Sequence, residues 1–190
     1  MSNPWDPYPF PLFADQSDSV LYEAIGRTLD RWEWVEFELA RMYSLFVGDP
    51  EWSKMQEYGS GNIFRDRLSV LSQAAANWFR KHPCQSAEGE YNSLVIQAKG
   101  FADRRNEVAH GMVMDVKDFL FWKDKLKLAA PNVPQILLVP PYYLLRKHDN
   151  LGLPGFGYSS VELQALMMRL FRLTDAINGF NLRVWPIESR

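Results

Sequence analysis

Cysteine is nearly absent. Cys84 is the only one in 190 residues, so no disulfide can close within the chain, and a lone thiol suits a reducing compartment. Histidine is almost as scarce, with His82, His110 and His148 alone, and none stands at zinc-ligand spacing from Cys84. Surplus positive charge is missing: 21 Lys and Arg face 23 Asp and Glu, and the sequence pI is about 5.9. A domain that grips nucleic acid over its whole surface carries a basic excess, so any RNA contact here has to be local. Long apolar runs are missing too; none approaches the roughly 20 residues of a membrane-spanning helix. The opening "MSNPWDPYPFPLF" has no basic region and is broken by prolines, unlike a signal peptide. Gly-x-Gly-x-x-Gly, P-loop and Gly-x-Ser-x-Gly patterns do not occur. From these absences we expect a cytoplasmic protein with no membrane partner, no metal and no cofactor.

What is present is packing material. Hydrophobic residues make up 47% and aromatics 14%, enough for a buried core and against disorder. The length suits one domain over 1–190. Residues 3–13 alternate proline with aromatics, and residues 1–16 are expected as an extended arm, because proline fixes φ and donates no hydrogen bond. Leu21, Ile25, Thr28, Trp32, Val35, Leu39, Met42 and Phe46 step by three and four, the mark of one long helix, capped near Asp18 and stopped at Gly48. Trp34 and Phe37 fall off that stripe and suggest a second covered face. Similar stripes predict helices from about Asn62 to Lys81 and from Ser86 to His110. "GSGN" at 59–62 reads as a helix start, with anion binding as its alternative.

After Gly111 the period changes. "FLFW" (119–122), "QILLV" (135–139) and "YYLLRK" (142–147) are short, β-prone and bounded by prolines, so a small β or extended insertion is expected over 112–158. A last helix follows. Ser159 and Glu162 have capping-box spacing, Val161 to Ile177 supply the apolar face, and Gly179 marks the expected end. The fold class is mainly α, an antiparallel bundle of four long helices with a small β insertion before the last.

The segment "DRRNEVAHG" (103–111) reads differently from the rest. On a helical wheel Lys99, Asp103, Asn106 and His110 form a polar stripe. Beside it Leu94, Ala98, Phe101, Arg105, Val108 and Met112 form an apolar row that Arg105 interrupts. Arg104 falls with Gln97, Gly100, Glu107 and Gly111 on a face expected to meet solvent. An arginine fork in an apolar row requires an anionic or polar partner. Histidine titrates near neutral pH and moves protons. Arg105, Asn106 and His110 are therefore the candidate catalytic set, for attack of a ribose 2′-hydroxyl on the adjacent phosphate. Arg104, Asp103 and Lys99 are the candidate substrate contacts. The structural alternative pairs Arg105 with Glu36 or another carboxylate and leaves His110 and Gly111 to end the helix.

The string "RRNEVAHG" resembles the signature of the HEPN superfamily, an arginine and a histidine separated by four to six residues, often with asparagine after the arginine. Arg105 leaves four residues before His110, and Arg104 leaves five. The resemblance rests on residues 103–111 and on the general layout of helices around a late motif. It implies a helical bundle that forms a homodimer with the motifs facing each other. It also implies metal-independent endoribonuclease activity on RNA, in toxins, phage defence or RNA processing, and a protein regulator of the antitoxin kind. Other members are non-catalytic modules for dimerisation or ligand binding. One toxin subgroup has a tyrosine two residues after the histidine; here that position is Met112.

Overall fold

The structure, a computed structural model, describes residues 3–49, 51–117, 133–149 and 152–188. Among them are five α-helices: α1 (Asp18–Phe46), α2 (Met55–Tyr58), α3 (Phe64–Lys81), α4 (Gln85–His110) and α5 (Ser160–Glu188). Two strands, β1 (Met112–Asp115) and β2 (Ile136–Val139), and a 3-10 turn at Leu145–Lys147 lie between α4 and α5. The fold is mainly α, with a small sheet before the last helix. Its contacts fall into two compact units, residues 1–31 with 103–169 and residues 32–102 with 170–190.

In the first unit, β1 and β2 pair antiparallel, with Met112 opposite Val139 and Asp115 opposite Ile136. The far edge of β2 is not left open. Asp15 exchanges both backbone bonds with Ile136, and Tyr158 does so with Leu138. A covered edge removes a template for unwanted strand pairing. Alternation puts Leu137 and Val139 on one side, where they pack with Val116, Phe10, Ala14 and Met114. The N-terminal arm is thus a structural part of the sheet. Asp15 also caps α5, accepting from the Ser160 amide at 2.7 Å and the Ser160 hydroxyl at 2.6 Å. Glu162 accepts from the Ser159 amide at 2.9 Å, as the capping-box spacing predicts. Arg169 holds the arm further out, donating to the Pro4 carbonyl at 2.8 Å with its guanidinium over the Tyr8 ring.

The second unit centres on Phe46, whose ring meets those of Trp78, Phe79, Tyr91 and Phe180. A tight connection at 82–84 turns α3 back into α4. Helices α1 and α3 instead run in the same direction, because Trp32 meets Phe64 at one end and Phe46 meets Trp78 at the other. The connecting stretch 47–63 makes the return. It contains α2, for which no periodic signal exists in the residues, since a four-residue helix completes only one turn.

Three expectations are corrected. "YYLLRK" is not a strand: Tyr142 and Tyr143 lie in a turn and Leu145–Lys147 is a 3-10 helix, while the partner of β2 is the segment directly after the motif. Helix α5 does not stop at Gly179 but continues to Glu188, because Phe180 and Val184 extend the buried stripe of Leu173 and Ile177. One glycine in a helix costs only about 1 kcal/mol. Val161 is 67% exposed, so the apolar face of α5 starts at Leu163. The expected strand at 119–122 lies outside the described residues.

Candidate functional site

The last two turns of α4 carry the motif and lie in the first unit. Leu94, Ala98, Phe101 and Val108 are buried, as the wheel predicts. Met112, placed in that row from the sequence, is exposed, since the helix ends before it and β1 begins.

The two adjacent arginines part company. Arg104 was expected toward solvent and is instead enclosed. Its guanidinium lies 3.0 Å from the Glu107 carboxylate, with side-chain exposures of 12% and 9%. The same carboxylate accepts a 2.5 Å hydrogen bond from the Tyr158 hydroxyl. Burial raises the Glu107 pKa, and the opposing pull of Tyr158, Arg104 and Lys147 does not offset it. Burial, and then the facing carboxylate, hold Tyr158 far above the ordinary phenol range. Arg104, Glu107 and Tyr158 therefore fasten the end of α4 to the segment leading into α5. Arg104 thus has a structural part in this ion pair.

Gly111 belongs to the same fastening. A Cβ there would stand 2.6 Å from a Leu138 methyl and 2.9 Å from the Glu107 carbonyl. The residue after His110 is glycine so that β2 can come this close, not because the turn needs a left-handed backbone.

Arg105 is half-buried, and its Nη1 donates to the Asn106 Oδ1 at 3.1 Å. Asn106 and His110 are exposed, four residues apart on α4. The amide and the imidazole thus face solvent at one end of the helix, and the half-buried guanidinium lies beside the amide. Asp103 is exposed in the same unit, and Lys99 is exposed one turn earlier, in the part of α4 that belongs to the second unit. Glu36, the carboxylate suggested for Arg105 in the structural alternative, accepts from the Tyr58 hydroxyl at 2.8 Å and lies 3.5 Å from Arg67. Among the described residues no group of three or more His, Cys, Asp or Glu is placed to hold a metal ion. Among the described residues no helix is long and apolar enough to cross a membrane.

Glu107 and Tyr158 are the residues that sequence reasoning missed. Glu107 stands three positions after Arg104, an ion-pair spacing on a helix, and that signal was available. Tyr158 is 51 residues away and had no local signal. Comparison with family models, with curated proteins and with solved structures finds no match to this chain.

Proposed function

We propose that the chain is a metal-independent endoribonuclease that works as a homodimer, with Arg105, Asn106 and His110 as its reacting groups. The observation behind this is the division of labour on α4. Arg104 lies in a buried ion pair, and Arg105 bonds Asn106, which is exposed and stands four residues before the exposed His110. That choice matches the four-residue spacing of the motif.

In the proposed reaction His110 takes the proton from a ribose 2′-hydroxyl, whose oxygen attacks the adjacent phosphorus. Arg105 bears the charge that grows on the non-bridging oxygens, and Asn106 holds its guanidinium in place. The bond to the 5′-oxygen breaks, and that oxygen leaves with a proton from His110 of a second copy. The products are a cyclic phosphate and a free 5′-hydroxyl.

The test is cleavage of mixed RNA in EDTA over a broad pH range, wild type against His110→Ala and Arg105→Ala. Wild type cuts, and each variant loses at least about a hundredfold in rate. RNA left intact by wild type at every pH removes the nuclease reading.

A second reading, a non-catalytic dimerisation or ligand-binding module, draws on Trp34 and Phe37. Both are exposed on α1 and stand edge to face at 5.6 Å. In that case Trp34→Ala lowers the mass in light scattering, and Arg105→Ala has no cleavage to abolish.

A further inference from the structure

Tyr142 and Tyr143 are 81% and 79% exposed. They are neighbours in the chain and together offer a contiguous apolar surface of the kind that marks interaction sites. They follow Pro140 and Pro141 and lead into the 3-10 turn, where Arg146 and Lys147 are also exposed. The backbone beneath them is well tied. Leu144 donates to the Pro141 carbonyl at 3.0 Å, Lys147 to the Leu144 carbonyl at 2.8 Å, and Gly155 to the Lys147 carbonyl at 2.7 Å. The His148 ring meets the Tyr142 ring edge-on at 5.9 Å and anchors through Nδ1, 3.1 Å from the Leu144 carbonyl. Among the described residues, neither tyrosine hydroxyl has a hydrogen bond, and neither Arg146 nor Lys147 has an ion pair. Two exposed aromatic rings and two exposed cations therefore sit on a fixed scaffold.

The sheet sets their position relative to the motif. Met112 opens β1 opposite Val139, which closes β2. His110 lies two residues before Met112, and Tyr142 lies three residues after Val139. Both stretches leave the same end of the ladder. Lys147 also bears electrostatically on Glu107, which follows Asn106 in α4.

We propose that residues 142–147 form a platform for unpaired nucleic acid, with bases stacked on Tyr142 and Tyr143 and phosphates held by Arg146 and Lys147. Stacking needs only a base face and a cation needs only a phosphate, so the platform tolerates many sequences. It also answers the near-neutral charge of the chain, since a local patch grips a strand without a basic surface elsewhere. As a site that feeds a strand to Arg105 and His110 it rests on the nuclease reading; as a binding surface it does not.

The experiment is fluorescence anisotropy with a short labelled single-stranded RNA and the full chain carrying His110→Ala, so that the strand survives. Adding Tyr142→Ala with Tyr143→Ala weakens binding at least about tenfold. Adding Arg146→Gln with Lys147→Gln lowers the log–log salt slope by roughly 1.4, the share of two phosphates. A duplex of the same sequence binds more weakly. Circular dichroism melts stay unchanged, because the altered side chains face solvent. Equal affinity in both double variants, or a preference for duplex, overturns the platform. So does an absence of RNA binding together with self-association that depends on the two tyrosines, which would assign them to a protein contact. Tyrosine-dependent binding without cleavage by wild type leaves the platform standing and removes the nuclease. Cleavage that both double variants retain in full, with the catalytic histidine restored, does the reverse.

Discussion

The two units each hold a glutamate that pairs with an arginine and accepts a hydrogen bond from a buried tyrosine, and the two triads are built differently. In the first, Arg104 and Glu107 are neighbours on one helix and Tyr158 comes from the loop before α5. In the second, Glu36 is on α1, Arg67 on α3 and Tyr58 on α2. Both fasten a connecting segment to a long helix. The burial differs, however. Arg104 is 12% exposed and 3.0 Å from its partner, whereas Arg67 is 25% exposed and 3.5 Å away. A charge is expensive to leave unpaired in proportion to how far it is removed from water. The first triad should therefore tolerate less damage than the second.

The largest expected difference is in the arginines. Arg104→Ala strands the buried Glu107 carboxylate and should cost about 3 kcal/mol at neutral pH in urea unfolding, at the lower end for breaking a buried pair. Arg67→Ala strands Glu36, which is as enclosed as Glu107, but the lost pair is longer and its arginine already meets water, so the cost should be smaller, about 2 kcal/mol. Equal losses would break the comparison. The tyrosines come next: Tyr158→Phe and Tyr58→Phe each remove one hydrogen bond to a carboxylate, for about 2 kcal/mol apiece. A much smaller loss for Tyr158→Phe would mean that Arg104 alone holds the end of α4.

The smallest effect is a pH dependence. The Glu107 pKa is raised above its ordinary value of 4.5 by burial, so the folded chain binds that proton more tightly than the unfolded one. Stability from this source is fully present below the ordinary value and is lost as pH rises through the raised one. Glu107→Gln carries no such titration. Denaturation midpoints of wild type and variant, followed upward from pH 4.5, should move apart in favour of the variant. Parallel curves would show that Arg104 and Tyr158 compensate the burial in full.

Much of the helical frame was legible in the residues. Stripes such as Leu21 to Phe46 and Leu68 to Trp78 are buried where the period places them. The capping box at Ser159 and Glu162 was legible for the same reason, since its partners are three residues apart. Legibility failed wherever the partner was distant. Tyr142 and Tyr143 have strand-like chemistry, yet Met112–Asp115 is the segment that pairs with β2, and the pairing is completed by Asp15 and Tyr158 from opposite sides of the sequence. Within the candidate site the residue types and their spacing along α4 could be read, but the roles of the two arginines could not.

By itself the order of residues settled that this chain is helical, where its long helices run and that Arg105, Asn106 and His110 share one helix end. Those outcomes depend on contacts a few positions apart, whose geometry a 3.6-residue period dictates. That Arg104 is enclosed against Glu107 was decided only by the tertiary structure. Adjacent helix positions differ by only a fraction of a turn, and the tyrosine that hydrogen-bonds the partner of Arg104 stands 51 residues from Glu107 in the chain.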